Sequence, residues 1–138
     1  MGCFNSVVVA APADKVWAAL RQFHDISWSA NVITSVESEG DPELAGAKRL
    51  LNGVFFETLL SLDDDTRVLR YSIDDGPAAV SKDNVTGYVG EVSVQPVTDD
   101  DSTFVIWSSS WDTDGGGVED FCNPIYRALL NDLKQHFA

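Results

Sequence analysis

The chain has 138 residues, of which 44% are apolar and 10% aromatic, which is enough to bury the core of one domain and excludes a disordered polypeptide. It carries 22 Asp and Glu against 9 Lys and Arg, and the resulting charge of −13 disfavours nucleic acids and anionic membranes as partners. The longest apolar run, residues 7–12, is too short for a membrane helix and lacks the basic flank of a signal peptide. We expect one cytoplasmic domain over residues 1–138 without nucleic-acid or membrane partners, and a homodimer stays open.

Cysteine and aspartate usage indicates structural roles rather than metal binding. Cys3 and Cys122 lie near opposite ends of the chain, so both are predicted to be free thiols. The aspartates cluster in two triplets, residues 63–65 and 99–101, which are typical of exposed hairpin turns and should add little beyond mutual repulsion. A calcium site is the alternative, but neither triplet has the spaced carboxylates and distal Glu of a calcium loop.

The N-terminus carries a loose lipidation motif. Met1, Gly2 and Ser6 match the N-myristoylation pattern, with Cys3 placed for palmitoylation. The acidic chain has no polybasic second signal, and residues 4–10 are predicted to be a strand within the sheet. We expect a chance match, although the sequence does not decide whether Gly2 is lipidated.

The first half of the chain predicts a strand, two short helices and two further strands. Residues 4–10 form the strand, and residues 11–14 begin a helix with Val16, Trp17, Leu20 and Phe23 at helical spacing. A short helical segment at residues 25–29 precedes strands at residues 32–38 and 47–51. Asn52 and Gly53 then predict a two-residue hairpin turn.

The second half predicts four longer strands. Residues 54–62 and 67–73 flank the first Asp triplet, and the other two strands occupy residues 88–95 and 103–112. The alternation predicts that Leu69, Tyr71 and Ile73 face inward. It also places Tyr88, Gly90, Val92 and Val94 on one face of the next strand, and Val105, Trp107, Ser109 and Trp111 on one face of the last.

A long amphipathic helix is predicted at the C-terminus. Its apolar stripe consists of Val118, Phe121, Cys122, Ile125, Leu129, Leu133 and Phe137. Pro124 lies within it and is expected to kink or restart the helix. The element order predicts an α+β fold in which this helix covers one face of an antiparallel sheet.

Features distributed over the whole chain carry a family resemblance: residues 11–17 after the first strand, Trp28, residues 46–49, Glu57 with Leu60 and residues 63–64, residues 71–73, Tyr88 ahead of Pro96, and residues 121–133. On these features the chain resembles the START-like, helix-grip (SRPBCC) superfamily. Within it, the similarity is to the polyketide cyclase/dehydrase and lipid-transport branch, which is related to the plant abscisic-acid receptors.

The resemblance implies a curved seven-stranded antiparallel sheet around the C-terminal helix, with a large cavity between them for a hydrophobic small molecule. The residues that it places at the cavity are Trp28, Glu57, Tyr71, Tyr88, Trp107, Ser109, Trp111, Phe121, Ile125 and Leu129. Arg49 is implied to support structure rather than bind ligand. Thr34 replaces the receptors' carboxylate-anchoring lysine, and the segment at residues 52–53 is too short for their gating loop, so hormone reception is not expected.

Each of these residues also has a purely structural interpretation. Large aromatic residues such as Trp107 and Trp111 dominate ordinary cores. Glu57, among apolar neighbours, either faces solvent or is buried with a partner. If it faces the cavity, burial should raise its pKa, whereas pairing with Arg49 across the hairpin would lower it.

Catalytic motifs are scarce. His24 and His136 lie on different elements without a nucleophile signature, and no metal-binding or nucleotide-binding motif is present, so neither metal nor cofactor is expected. The sequence favours a protein that binds a lipid-like or polyketide-like molecule. The alternative is a cofactor-free polyketide cyclase or dehydratase with Glu57 and Tyr88 as acid/base groups, and a third is a regulatory module acting through the loops at Gly53 and residues 76–77.

Overall fold

The computed structural model describes residues 2–138, which contain nine strands and two α-helices. The strands are β1 (Gly2–Val9), β2 (Val36–Glu39), β3 (Lys48–Leu51), β4 (Phe55–Asp63), β5 (Val68–Asp75), β6 (Val85–Thr86), β7 (Val89–Val97), β8 (Ser102–Ser110) and β9 (Thr113–Asp114). The helices are α1 (Ala13–Leu20) and α2 (Val118–His136), and two short 3₁₀ turns lie at Ser27–Ser29 and Ala78–Val80.

Seven of these strands form one curved antiparallel sheet in the order β1-β8-β7-β5-β4-β3-β2. The long helix α2 packs across the sheet and contacts β1, β8 and the Ser27–Ser29 turn. The predicted helix-grip architecture is therefore confirmed. The small β6-β9 pair, which the sequence did not predict, joins the two loops on either side of β7 and β8.

Strand alternation decides which side chains face α2. Tyr71 is buried, as predicted, and so are Val92, Val94, Val105 and Trp107, which share the predicted faces of their strands, because every second residue of a strand points to the same face. Leu59 and Leu69 join them in one continuous core. This face forms the floor of the space in which a ligand site was expected.

A hairpin turn forms at Asn52 and Gly53, as predicted, but its loop has three residues rather than two, because Leu51 pairs with Phe55. The turn also shapes the preceding segment. Both residues have positive φ, +54° and +69°, which Asn and Gly tolerate best. The Asn52 side chain accepts a hydrogen bond from the Thr34 backbone N–H at 2.7 Å and donates one to the Val32 carbonyl at 2.9 Å. These bonds hold the chain as a loop, so β2 begins at Val36 rather than at residue 32 as predicted.

Helix α2 runs through Pro124 without the predicted restart. Pro124 lacks the N–H that would bond the carbonyl of Asp120, but both residues are exposed, so water can satisfy that carbonyl.

The N-terminal segment is part of the sheet. Gly2 pairs with Ser110 and Cys3 with Ser109, and Cys3 is buried. Met1, the first residue of the lipidation motif, lies outside the described residues. Both cysteines are free, as predicted. No helix within residues 2–138 is long and apolar enough to cross a membrane.

Both Asp triplets lie in exposed turns, as predicted. The expectation that they contribute little beyond repulsion is wrong for Asp64. Its carboxylate accepts hydrogen bonds from Trp17 Nε1 at 2.8 Å and Arg21 Nε at 2.9 Å, which tie the β4–β5 turn to α1. The bonds from Arg21 and Trp17 hold the pKa of Asp64 below its ordinary value.

Candidate functional site

A small cavity lies between the inner face of the sheet and α2. Its volume is about 40 Å³, room for about three water molecules rather than for a lipid. The lining residues are Ile26, Ile33, Arg49, Leu51, Phe55, Glu57, Tyr71, Ile73, Trp107, Cys122, Ile125, Tyr126 and Leu129. Within residues 2–138, the space between the sheet and α2 does not hold the large cavity implied by the resemblance. Trp107 and Tyr126 pack against each other in this space, with ring centres 5.5 Å apart.

The ten residues assigned to the site from sequence fall into two groups. Glu57, Tyr71, Trp107, Ile125 and Leu129 line the cavity. The other five, Trp28, Tyr88, Ser109, Trp111 and Phe121, lie around it without lining it.

Each of the second group has a defined place. Trp28 packs on the far side of Trp107, with ring centres 6.4 Å apart. Tyr88 and Trp111 stack on each other at 5.7 Å. Ser109 Oγ accepts a 3.4 Å hydrogen bond from the Cys3 backbone N–H.

Phe121, with Phe55, marks one border of the cavity. Their rings lie 6.4 Å apart and join the first turns of α2 to the start of β4. Both side chains are half-buried, in contrast to the fully enclosed aromatic residues behind them.

One polar group at the cavity is a buried ion pair. Arg49 on β3 and Glu57 on β4 are directly opposite each other, and each is less than 8% exposed. Nη2 and Nε of Arg49 lie 2.7 Å and 2.8 Å from Oε1 of Glu57. Nη1 donates to the Phe23 carbonyl at 2.9 Å, and the guanidinium carbon lies 4.0 Å from the centre of the Phe23 ring. Arg49 thus joins the α1–β2 connection to the sheet and also borders the cavity.

The pair leaves Glu57 in an unusual electrostatic state. Burial raises the pKa of Glu57 above its ordinary value, and the Arg49 guanidinium opposes that shift without cancelling it. The ion pair with Arg49 and a raised pKa of Glu57 were expected as alternatives. The structure has both.

The second polar group is a chain of hydroxyls from three tyrosines. Trp107 Nε1 donates to Tyr71 Oη at 2.9 Å, and Tyr71 Oη lies 3.1 Å from Tyr126 Oη. Tyr126 Oη also bonds the hydroxyl of Tyr88, which donates to Cys122 Sγ at 3.5 Å. The chain crosses from β8 through β5 and α2 to the segment just before β7.

Burial governs ionisation throughout this chain. It raises the pKa of all three tyrosines, so their hydroxyls stay protonated and act as hydrogen-bond donors or acceptors rather than as phenolates. It also raises the pKa of the Cys122 thiol to about 11. A reactive thiolate at this position is therefore disfavoured.

Tyr126 was not among the residues predicted for the site, and Arg49 was predicted only to support structure. Tyr126 follows Cys122 by four residues and precedes Leu129 by three, so helical spacing alone would have placed it on the buried face. No comparable local signal indicates that its hydroxyl meets those of Tyr71 and Tyr88, which come from distant parts of the chain.

Comparison with known proteins identifies the family. Residues 5–138 match the family model described as polyketide cyclase / dehydrase and lipid transport. No curated protein matches the chain.

Solved structures agree in fold. A protein from Nitrosospira multiformis superposes with a TM-score of 0.96 at 41% identity, covering 100% of this chain and 97% of that one. A protein from Bacillus thuringiensis gives 0.83 at 21% identity, covering 99% and 98% of the two chains. One from Thermobifida fusca gives 0.82 at 24% identity, covering 99% and 92%. The last two similarities concern the fold alone. The match over nearly the whole sequence, together with the observed architecture, shows that this chain belongs to the START-like polyketide cyclase/dehydrase and lipid transport family.

Proposed function

We propose that the protein binds an apolar, lipid-like or polyketide-like small molecule between the sheet and α2, and that Tyr71 bonds an oxygen of this molecule. The observation that carries the proposal is the composition of the cavity: apolar walls, including Leu51, Ile125 and Leu129, surround a few polar groups at defined positions. Binding sites for small molecules have this character in general. The family match is consistent with such a ligand.

Binding requires the cavity to enlarge. A volume of about 40 Å³ is well below the roughly 150 Å³ of a cavity that holds benzene. Phe55 and Phe121 are the side chains best placed to move, because they are half-buried at the border and belong to different elements. Separation of the two rings would admit the ligand while leaving the sheet intact.

The hydroxyl chain determines what kind of atom Tyr71 can bind. The Trp107 indole can only donate, so the oxygen of Tyr71 must accept from it. If Tyr71 donates to Tyr126, Tyr126 to Tyr88 and Tyr88 to Cys122 Sγ, the proton of Tyr71 is already in a hydrogen bond and cannot bond a ligand. If Tyr88 gives up its bond to Cys122 Sγ and donates to Tyr126, and Tyr126 donates to Tyr71, the proton of Tyr71 is free.

The second arrangement favours a ligand acceptor such as a carbonyl oxygen. In it the Tyr71 oxygen accepts two hydrogen bonds, which polarises its O–H and strengthens the bond that it donates. A ketone at the cavity would select this arrangement, whereas a hydrocarbon of the same shape would not.

An enzymatic function is the second candidate, because Glu57 and Tyr71 line the same cavity. In a cyclase-type or dehydratase-type reaction, ionised Glu57 would take a proton from a carbon next to a ligand carbonyl. Tyr71 would donate to the resulting enolate oxygen. Tyr71 replaces Tyr88 in this role, since Tyr88 does not line the cavity and lies behind Tyr126.

A matched pair of probes tests the proposal. We expect 2-acetylnaphthalene to bind more tightly than 2-ethylnaphthalene, and Tyr71→Phe to remove most of this preference while retaining binding of the hydrocarbon. Loss of one such neutral hydrogen bond corresponds to about 0.5–1.5 kcal/mol, or roughly two-fold to ten-fold in affinity.

The matched control is Tyr88→Phe, which removes a hydroxyl from the same chain but not from the cavity wall. It should retain a clear preference for the ketone. If Tyr71→Phe and the wild type discriminate equally between the probes, Tyr71 is not the anchoring group. If neither probe binds the wild type, the proposed site is wrong.

A further inference from the structure

The two edges of the seven-stranded sheet differ in how they are protected against pairing with another strand. At one edge, β2 has only four residues and includes Glu37 and Glu39. At the other, β1 has eight residues and contains neither a charge nor a proline. Short length, charge and proline are the usual means of preventing an edge from pairing with another chain. The β2 edge has two of them, and the β1 edge has none.

The outer edge of β1 is also accessible. Among residues 2–138, no backbone group of β1 bonds a backbone group outside its pairing with β8. An open groove between β1 and α2 is lined by the consecutive residues Asn5, Ser6 and Val7. Consecutive strand residues point to opposite faces, so a groove that touches all three follows the edge itself.

We propose that β1 pairs with β1 of a second copy of this chain, antiparallel and centred on Ser6. This register places Phe4 opposite Val8 of the second copy and Ser6 opposite its own equivalent. The two sheets then become one continuous sheet about a two-fold axis, and the same patch is used on both copies.

The exposed apolar residues of β1 fit this register. Phe4 is 66% exposed and Val8 is 51% exposed, although both belong to a strand. They lie on the same face, two residues to either side of Ser6, so one pairing covers both on each copy. A register shifted by one residue would set each of them against a residue of the opposite face.

The charges on α2 are compatible with this arrangement. The helix lies along β1, with Asn5 Nδ2 donating to Asn123 Oδ1 at 2.9 Å, so the two copies of α2 run antiparallel. The acidic first turn, with Glu119 and Asp120, then points toward the half of the other helix that carries Arg127 and Lys134. All four side chains are exposed, and none forms an ion pair among the described residues.

Charge substitutions at Ser6 test the proposal because they place like charges directly opposite each other. In sedimentation velocity and light scattering, we expect the wild type to have twice the 15.0 kDa mass of one chain. Ser6→Lys and Ser6→Asp should each halve that mass, and an equimolar mixture of the two variants should restore it. Ser6 is exposed, so the substitutions should leave the circular dichroism spectrum of the folded protein unchanged.

The matched control is Ser38→Lys, which places the same charge at an exposed serine of the other edge strand. It should leave the mass of the dimer unchanged. A wild type that remains monomeric at NMR concentrations would overturn the proposal. So would a dimer that persists in both Ser6 variants, since it would use another surface.

Discussion

Substitution of Arg49 by methionine tests the energetic role of the buried ion pair. The change removes both contacts to Glu57 Oε1, the hydrogen bond to the Phe23 carbonyl and the contact with the Phe23 ring. Removal of one partner from a buried ion pair costs about 3–5 kcal/mol, because the remaining charge is left in a low-dielectric environment. We therefore expect Arg49→Met to lower the free energy of unfolding at pH 7 by an amount in this range.

The loss should depend on pH with a defined sign. Without Arg49, only burial acts strongly on Glu57, so its pKa in the folded state rises further above the value of about 4.3 in the unfolded chain. A group whose pKa is higher in the folded state than in the unfolded state stabilises the fold fully at a pH below its unfolded-state pKa. This stabilisation is lost as the pH rises through its folded-state pKa. The difference between variant and wild type should thus be smaller at pH 5 than at pH 7, by up to about 1.4 kcal/mol per pH unit.

Urea denaturation of a double-mutant cycle measures the coupling energy between Arg49 and Glu57 directly. The double variant Arg49→Met/Glu57→Leu leaves no unpaired charge and should be more stable than Arg49→Met alone. If the single variant loses less than about 1 kcal/mol, or if the two substitutions are additive, the pair is not coupled as the geometry indicates.

Three further predictions concern other parts of the molecule. In an NMR pH titration, the Trp17 indole N–H resonance should follow the ionisation of Asp64, at a pKa below the ordinary value of an aspartate. The stability from the Trp17–Asp64 hydrogen bond should be lost as the pH falls through that pKa. A titration at or above the ordinary aspartate pKa would contradict the geometry. Cys122 should resist iodoacetamide at pH 8 in the folded protein and react after denaturation, because burial raises its pKa to about 11; equal rates in both states would refute this. Asp132→Ala should lower the free energy of unfolding, measured by urea denaturation, by about 1–3 kcal/mol. The reason is that the fully buried Ser29 hydroxyl loses its 2.8 Å hydrogen bond to Asp132. A change within about 0.5 kcal/mol, as at an exposed site, would contradict this role.

The sheet and the long helix were predictable because their signals are local. Alternation on β7 and β8 placed Val92 with Val94, and Val105 with Trp107, on the same faces before any pairing was known, and these faces are the buried ones. The start of β2 was not predictable, because it depends on hydrogen bonds between the Asn52 side chain and the backbone of residues 18 and 20 positions earlier.

The candidate site was predictable only in part, because its geometry is set by distant contacts. The stripe predicted for α2 included Phe121 and Ile125, but these are half-buried, and Tyr126 occupies the fully buried position instead. The volume of the cavity depends on how Trp107 packs against Tyr126 and Tyr71, which no periodicity encodes. Family resemblance correctly implied the fold but overestimated the size of the cavity in this conformation.

The most direct test of the proposed binding site is the indole N–H resonance of Trp107 in a ¹H–¹⁵N NMR titration with 2-acetylnaphthalene. Trp107 lines the cavity and donates to Tyr71, so a ketone bound there must alter this resonance. We predict a saturable shift in the wild type and none in Ile125→Trp, where a larger side chain at the half-buried edge of the cavity occupies the ligand space. A ketone that binds without moving the Trp107 resonance, or that moves it equally in Ile125→Trp, would contradict the proposed site.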